Sequence, residues 1–297
     1  EDPRRADSCR LAPMLGRVVG ERYRLERALG EGASGRVFAA RTPEGALVAL
    51  KLLHEHEGST DKERRRLERE ARALNGLEHP AVVRVLDFGV DVASGEVSAS
   101  GGTPYLVVEL LVGEPLDVTL GRGVPPHDGL VLGRQVVEGL AAVHAAGVLH
   151  RDVKPANVFV LPGGRVKLLD FGLAKFTDEE RWGEHSQLTR RGAQLGTPAY
   201  MPPELWFGEN ADAASDVYSV ATLLFECIAG VTPYDADGRL AWVRAHATAP
   251  LPTLAERRPG LRGFEKLDAI FARALAKERA ERFADAGQLA HALAALG

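Results

Sequence analysis

Short runs of alternating apolar and polar residues, separated by glycine-rich turns, occupy the chain from Tyr23 to residue 52. This alternation is typical of antiparallel strands joined by tight turns. A helical period replaces it over residues 60–77, where Leu67 and Leu74 fall on one apolar stripe. Strand-like runs return at 82–88 and 105–110, so the first third of the chain is predicted to be a sheet with one main helix.

Beyond residue 113 the apolar residues recur mostly at helical spacing. The predicted helices lie around 132–145, 214–230, 265–276 and 285–295, and short strands are expected at 157–161 and 165–169. The pattern predicts an α+β fold with a small β-rich amino-terminal lobe, residues 21–112, and a larger α-rich carboxy-terminal lobe, residues 113–297. Residues 1–20 show no sustained period and are interpreted as a loosely ordered lead-in.

Composition narrows the class of protein. The 297 residues carry a net charge of −4, so a basic nucleic-acid-binding surface is not expected. Two cysteines, Cys9 and Cys227, are too few for a disulfide framework, and no apolar stretch is long enough to span a membrane. We expect a cytoplasmic chain, and because it starts without Met we expect a segment of a longer, membrane-anchored protein as the alternative.

Three glycines, Gly30, Gly32 and Gly35, lie between two predicted strands in the run GEGASGRV. Glycines let backbone N–H groups approach phosphate oxygens closely. A dinucleotide-binding fingerprint would need a helix after the glycines, whereas a strand follows here. The run is therefore a candidate phosphate-binding loop, with an ordinary glycine turn as the alternative.

Lys51 stands in an apolar strand of a chain that has only seven lysines among its 37 basic residues. Glu70 lies on the same helical stripe as Leu67 and Leu74, so its carboxylate points along a buried face and needs a partner. Lys51 is the natural partner. The alternative is that Lys51 is an exposed lysine on the outer face of the strand.

The most specific run is HRDVKPAN, from His150 to Asn157, followed by Asp170 in DFG. Pro162, Gly163 and Gly164 predict a hairpin turn between them. Asn157 and Asp170 are equidistant from the middle of this turn, so the hairpin should place them side by side. Carboxylate and amide oxygens suit a hard cation such as Mg²⁺.

These runs together resemble Hanks-type protein kinases, and Lys154 resembles the serine/threonine kind. The runs YRLERALGEGASGRVF and LGTPAYMPPE resemble bacterial kinases, which often precede a membrane span. The resemblance covers about residues 20–296 and implies the bilobal protein kinase fold, with Mg-ATP as cofactor and Mn²⁺ as an alternative ion. It implies that Lys51, paired with Glu70, holds the ATP phosphates. It also implies that Asp152 accepts the substrate hydroxyl proton and that Lys154 neutralises the transferring phosphoryl group.

The resemblance extends to the rest of the nucleotide site. It assigns Asn157 and Asp170 to the metal ion and the glycine loop to the phosphates. The remaining implied nucleotide contacts are Val37, Ala49, Val108, Glu109 and Leu111, of which Val108 falls at the gatekeeper position and Glu109 and Leu111 at the hinge. Two structural roles are also implied, a pairing of Glu204 with Arg282 and a bracing of the catalytic loop by Asp216.

Regulation is predicted at Thr189. Thr197, in the Gly196–Pro198 run that the resemblance places facing the substrate, is expected to contact Asp152 and Lys154. Arg151 and Lys175 would form a basic pocket, and a phosphate on Thr189 could make charge-assisted bonds to both. An unmodified Thr189 is the alternative.

The implied function is transfer of the γ-phosphoryl group of ATP to serine and threonine hydroxyls of protein substrates. The expected partners are those proteins, together with a transient homodimer for trans-autophosphorylation. Two other classes stay open: a pseudokinase scaffold, which would lack Lys51, Asp152 or Asp170, and a small-molecule phosphotransferase, which would usually lack GTPxYMxPE and Asp216.

Overall fold

The computed structural model describes residues 12–32, 35–54, 61–92, 102–171 and 198–296. The chain divides into two compact units. Among the described residues, the first unit contains 12–78 and 83–112, and the second contains 79–82, 113–171 and 198–296.

The first unit is built on a six-stranded antiparallel sheet with the strand order β1-β2-β3-β4-β6-β5. Its strands are β1 (Val18–Val19), β2 (Tyr23–Gly32), β3 (Gly35–Arg41), β4 (Leu47–Leu53), β5 (Val85–Asp91) and β6 (Thr103–Glu109). Helix α1 (Asp61–Asn75) packs against β5. Phe38, Leu50 and Val107 come from adjacent strands and are fully buried in the core, as the alternation of apolar residues predicts.

The described part of the predicted lead-in is packed. Val19 pairs with Tyr23 at the edge of the sheet and is fully buried, and Arg17 forms an ion pair with Asp91. Asp91 is itself buried and also accepts a hydrogen bond from the backbone N–H of Gly20 at 3.2 Å. Residues 12–20 are thus tied to the sheet by apolar and charged contacts, which differs from the expectation of a loosely ordered segment.

Helices dominate the second unit. They are α2 (Leu116–Gly121), α3 (Pro126–Ala145), α4 (Pro203–Trp206), α5 (Ala213–Ala229), α6 (Arg239–Thr248), α7 (Leu254–Arg257), α8 (Glu265–Ala274) and α9 (Ala286–Ala294). A small antiparallel sheet has the order β7-β8-β9, formed by β7 (Glu114–Pro115), β8 (Val158–Val160) and β9 (Val166–Leu168). The predicted α+β character is confirmed in both units.

Helix α5 is the centre of the second unit and packs on α3, α8 and α9. Two glycines of α3 allow the close approach of α3 and α5. A Cβ at Gly129 would lie 1.9 Å from the Cys227 carbonyl oxygen, and one at Gly133 would lie 2.4 Å from the Leu224 side chain. The glycines are thus packing positions, which the apolar stripe alone did not indicate.

Two sequence-based predictions differ from the structure. The strand predicted over residues 82–88 begins only at Val85, because Val82 forms an isolated parallel bridge with Leu168 in the second unit. Helix α6 was not predicted, since its apolar residues do not follow one stripe: Leu240 is 84% exposed while His246 is fully buried. Within the described ranges, no helix has both the length and the apolar character that a membrane crossing requires.

Candidate active site

Asp152 lies in a loop of the second unit and receives contacts from two nearby side chains. Lys154 Nζ donates to Asp152 Oδ2 at 2.8 Å, and Asn157 Nδ2 donates to the same oxygen at 2.9 Å. Asn157 Nδ2 also donates to the Asp152 backbone oxygen at 2.8 Å, so the Asn157 side chain is bound to the loop that carries Asp152. The Asp152 side chain is 20% exposed, so it is fixed in place and still reachable from solvent.

Asn157 directly precedes β8 and Asp170 follows β9, so both residues lie at the open end of the β8–β9 hairpin. The backbone N–H of Leu169 donates to the Asn157 carbonyl at 2.8 Å, and Val158 pairs with Leu168. The turn itself uses residues 162–164, as predicted, with left-handed glycines at 163 and 164. The pairing partner of Asn157 is therefore Leu169, not Asp170, because a three-residue turn shifts the register by one from the symmetric expectation.

Asp216, near the start of helix α5, braces the loop through its carboxylate. The carboxylate oxygens accept hydrogen bonds from the backbone N–H groups of His150 and Arg151, each at 2.7 Å, and lie 3.0 Å from Nε2 of His144. His144 Nδ1 accepts from the Ala286 N–H at 3.1 Å, which leaves Nε2 as the ring nitrogen that can donate to Asp216. The bracing role expected for Asp216 is confirmed by these bonds.

The same contacts decide the charge of this cluster. Burial alone would raise the pKa of Asp216, but hydrogen bonds and attraction from His144 and His150 hold the pKa below its ordinary value. Burial lowers the pKa of His150, whose Nε2 lies 2.8 Å from the Leu169 carbonyl oxygen. The brace therefore holds an ionised carboxylate that accepts hydrogen bonds from the loop and from His144.

Two residues of the site adopt left-handed backbone conformations, Arg151 at φ 61° and Asp170 at φ 51°. Such conformations are unfavourable for residues other than glycine and persist where the surroundings hold them. The Arg151 N–H is held by Asp216, and Asp170 directly follows the backbone bond of Leu169. The strain is thus located where the loop presents Asp152 and where the hairpin presents Asp170.

The first unit carries the other sequence-predicted positions. Lys51 sits on β4, paired with Val37 on one side and Leu106 on the other, and it is 9% exposed. Glu70 is half-buried on α1. The exposed-lysine alternative is therefore wrong, because the strand face that carries Lys51 is covered.

The remaining sequence-predicted nucleotide contacts lie on the same sheet. Ala49 of β4 pairs with Val108 of β6, next to Glu109. The Glu109 carboxylate accepts a hydrogen bond from the Arg84 backbone N–H at 2.8 Å. Leu111 follows the end of β6.

A comparison with family models decides the identification. The model described as "Protein kinase domain" matches residues 23–282 of this chain. The chain belongs to the protein kinase family. This confirms the resemblance drawn from the HRDVKPAN and DFG runs, and with it the protein kinase fold class.

Three of the curated proteins that are similar to this kinase domain come from bacteria. The serine/threonine-protein kinase pkn3 of Myxococcus xanthus is 37% identical over 92% of this chain and 49% of its own length. The kinase pkn2 of the same organism is 38% identical over 94% of this chain and 33% of its own length. PknA of Mycobacterium tuberculosis is 35% identical over 96% of this chain and 64% of its own length. The chain therefore spans about a third to two thirds of these relatives.

A second ion pair of the kinase domain matches the sequence-based expectation. Arg282 is fully buried and donates through both terminal nitrogens to Glu204, each at 2.8 Å. Burial would raise the pKa of Glu204, but the bonds from Arg282 and Ser215 keep that pKa below its ordinary value. The predicted pairing of Glu204 with Arg282 is confirmed. Glu204 lies on α4 and Arg282 lies shortly before α9, so the pair joins two distant segments of the second unit and is structural.

Some positions of interest lie outside the described residues. These are Gly172, Lys175, Thr189 and Thr197. Their predicted roles stay predictions.

The sequence reasoning missed the polar contacts of the turn at residues 198–200. Tyr200 donates its hydroxyl to Glu226 at 2.5 Å, and Ser219 Oγ donates to the Tyr200 carbonyl at 2.9 Å. Both partners lie on α5. A signal for this was present, because Glu226 is the one charged residue in the run Val217–Val231.

Proposed function

We propose that this domain is an ATP-dependent protein serine/threonine kinase that transfers the γ-phosphoryl group of Mg-ATP to serine and threonine hydroxyls of proteins. The observation that carries the proposal is the fixed, partly exposed carboxylate of Asp152, held by Lys154 and Asn157. Phosphoryl transfer needs a positioned group that accepts the hydroxyl proton, and little other covalent chemistry from the protein. A carboxylate held by two side chains from its own loop meets that need.

In the proposed reaction Asp152 orients the acceptor hydroxyl and takes its proton as the oxygen attacks phosphorus. Lys154 contacts a carboxylate oxygen of Asp152, so its ammonium lies close to where the acceptor hydroxyl would bind. From there it would neutralise negative charge on the transferred phosphoryl group. The Asp216 brace fixes the backbone on which both side chains stand. Positioning of this kind supplies much of the rate acceleration in reactions of this class.

The proposed metal ligands are Asn157 and Asp170. Asn157 directs its amide nitrogen to Asp152, which leaves the amide oxygen as the atom available for a cation. An amide oxygen and a carboxylate form the oxygen-only donor set that Mg²⁺ prefers, and Mn²⁺ would fit the same set. When bound, the cation would supply neutralisation of the phosphate charge.

The proposed nucleotide contacts follow the sheet of the first unit. The loop glycines divide into two kinds, because a Cβ at Gly30 or Gly32 would meet no atom of the described residues within 4 Å, whereas one at Gly35 would lie 2.1 Å from the Leu52 carbonyl oxygen. Packing among the described residues therefore explains Gly35 but not Gly30 and Gly32. Glycines without a side chain let a phosphate approach the backbone closely, which supports a phosphate contact there.

Further contacts to ATP are assigned by the family pattern. We assign Lys51 to the phosphates and Glu70 as its partner, and we assign the adenine side of the site to Val37, Ala49, Val108, Glu109 and Leu111. The buried position of Lys51 on β4 supports this assignment, because a buried ammonium in a lysine-poor chain needs a functional or ionic reason.

Regulation is proposed through autophosphorylation of Thr189 between two copies of the domain, with Arg151 and Lys175 receiving the phosphate. The left-handed backbone of Arg151, fixed by Asp216, supports a defined position for that guanidinium. Phosphosite mapping beside Thr189→Ala tests the assignment. An unphosphorylated Thr189 with full activity of the variant would overturn it.

The wider setting of the domain is also a proposal. Since the curated relatives extend well beyond the matched region, the activity of the whole protein, its protein substrates and its cytoplasmic location are inferred. The scaffold alternative predicts nucleotide binding without transfer. The small-molecule alternative predicts transfer to a metabolite and none to protein.

The test compares wild type with Asp152→Asn and the exposed control Asp128→Asn. We expect Asp152→Asn to melt at the wild-type temperature and to bind ATP, yet to lose all but a small residue of transfer to an acceptor protein, on the order of a thousandfold. Asp128→Asn should keep full transfer. Near-normal transfer by Asp152→Asn would sink the assignment, and absent transfer by wild type despite ATP binding would favour the scaffold.

A further inference from the structure

The last residue of helix α1 is Asn75, and the next residue in the chain is Gly76. Both residues are exposed. When glycine follows asparagine, the carbon of the side-chain amide is most open to attack by the following backbone nitrogen, because glycine has no Cβ in the way. The pair therefore places a reactive amide at the end of the helix that carries Glu70.

The described part of the fold gives no reason for a glycine at position 76. Glycines that end helices usually adopt a left-handed backbone, as Gly147 does after α3 with φ 75°. Gly76 does not, and a Cβ built on it would come no closer than 4.0 Å to any described atom beyond its chain neighbours, the first being the Ala73 carbonyl oxygen. An alanine would therefore fit at this position.

The other two asparagines of the chain lack this combination. Asn157 is buried and precedes Val158. Asn210 is exposed but precedes Ala211, whose Cβ hinders the approach of the backbone nitrogen. Exposure and a following glycine coincide at Asn75, which makes Asn210 an internal control for exposure alone.

The end of α1 is held by contacts on either side of Asn75. Ala71 and Leu74 are buried, so the last helical turn still belongs to the core of the first unit. The Leu77 backbone N–H donates to the Leu74 carbonyl at 3.0 Å, and this hydrogen bond spans residues 75 and 76. Because the ends of helices fray, residue 75 can leave the helical conformation and react while Leu74 stays packed.

We propose that Asn75 is a site of spontaneous deamidation. The Gly76 backbone nitrogen gives its proton to hydroxide and bonds to the side-chain carbonyl carbon of Asn75. The side-chain amide nitrogen then leaves as ammonia, and a cyclic succinimide remains. Water adds to either carbonyl of the succinimide and breaks its bond to the ring nitrogen, which gives aspartate or isoaspartate. Water is the only co-reactant, and no group is oxidised or reduced.

Both products change the end of α1. A carboxylate at position 75 puts negative charge at the carboxy-terminal end of the helix, where the helix dipole disfavours it. Isoaspartate also adds a carbon atom to the main chain, inside the stretch that the hydrogen bond from Leu77 to Leu74 spans. The chain enters the second unit at His79, so the modification lies just before the connection between the units and loosens the last helical turn.

The first test incubates the domain at mildly acidic and mildly alkaline pH and follows each asparagine by peptide mapping with mass spectrometry. We expect Asn75 to be converted about tenfold faster than Asn210. The conversion should be faster at the alkaline pH, because the attacking nitrogen must lose its proton. Fragmentation that distinguishes isoaspartate from aspartate should find both products. Equal rates at the two asparagines would overturn the proposal and leave the proposed kinase function untouched.

Gly76→Ala is the matched variant, since an alanine fits at this position and keeps Asn75. We expect it to melt at or above the wild-type temperature and to slow the conversion of Asn75 about tenfold, because its Cβ hinders the attack. Hydrogen exchange then compares the two proteins after incubation, and the Leu77 amide should exchange faster in wild type. Unchanged conversion in Gly76→Ala would overturn the site, and equal exchange of Leu77 would overturn its effect on α1.

Discussion

The loop that holds Asp152 and the turn at residues 198–200 are two irregular segments of the same unit, and both are anchored on helix α5 by different chemistry. The loop is held by an ionised carboxylate, Asp216, which accepts two backbone N–H groups. The turn is held by two hydroxyl groups, since Ser219 Oγ donates to the Tyr200 carbonyl and the Tyr200 hydroxyl donates to Glu226. One segment depends on an ionised carboxylate that accepts backbone N–H groups, and the other depends on hydroxyl donors.

This difference indicates that the fold holds the Asp152 loop more rigidly than the turn at residues 198–200. Bonds to an ionised group are stronger than neutral ones, and a buried carboxylate that loses its donors is very unfavourable, so the loop has one dominant arrangement. A hydrogen bond between neutral groups, such as the one from Ser219 to the Tyr200 carbonyl, contributes about 1 kcal/mol, so its loss should perturb the turn less than loss of the Asp216 charge perturbs the loop.

Among the contacts that anchor the two segments, the largest expected effect is from Asp216→Asn. The amide would turn N–H groups toward the donors of the loop, so we expect a loss of about 3 kcal/mol in the free energy of unfolding and a drop in kcat of about a hundredfold. Chemical denaturation and transfer kinetics measure the two losses. An Asp216→Asn domain with wild-type kcat would show that the loop does not need the charge.

The next effect is the pH dependence of stability from His246. Burial and the positive charge of Lys277 lower the pKa of His246 to about 4, against an ordinary value of 6.5. The unfolded chain therefore binds a proton more readily between those values, and stability falls as pH drops from 6.5 to 4, by about 3 kcal/mol in total. Tyr218 and Tyr234 face the same ring but keep their protons in this range, because burial raises the pKa of both.

His246→Gln serves as the comparison for that measurement, because it removes the titrating group and leaves the aromatic side chains around it in place. Denaturation curves at several pH values should give a flatter dependence between pH 6.5 and 4 for the variant. The pKa of Asp216 is also lowered, so its contribution to stability is likewise lost on acidification, but only as pH falls below about 3.8. Parallel slopes for wild type and His246→Gln would contradict a neutral His246.

The smallest effect is expected from Ser219→Ala. Removing the hydroxyl loses the bond to the Tyr200 carbonyl, so we expect about 1 kcal/mol less stability, measured by chemical denaturation. Thr222→Val is the matched control, since its hydroxyl bonds at 3.0 Å to the Tyr218 carbonyl within the same helix. An equal loss of stability in both variants would show that the bond to the turn has no special role.

Much of the fold could be predicted because apolar residues in the sheet and in helices α3 and α5 follow regular periods. The run HRDVKPAN also indicated Asp152, Lys154 and Asn157 directly, since their contacts are local in sequence. The register predicted for the β8–β9 hairpin was wrong by one residue, because counting symmetrically about a turn does not specify how many residues the turn contains.

The contacts that the sequence could not supply are those made across long separations. Nothing local to His246 indicates that Tyr218 and Trp206 surround it, and the irregular apolar pattern of α6 hid the helix itself. Glycines 129 and 133 likewise carry their meaning only through α5. Buried polar groups in helices with mixed patterns are therefore the positions where tertiary contacts override periodicity.

The most direct test of the central claim is to incubate the domain with Mg-ATP and a basic acceptor protein and to map the phosphorylated residues by mass spectrometry, beside Asp152→Asn. The account predicts phosphoserine and phosphothreonine on the acceptor with wild type and almost none with the variant. Predominant phosphotyrosine, or equal phosphorylation by Asp152→Asn, would contradict it.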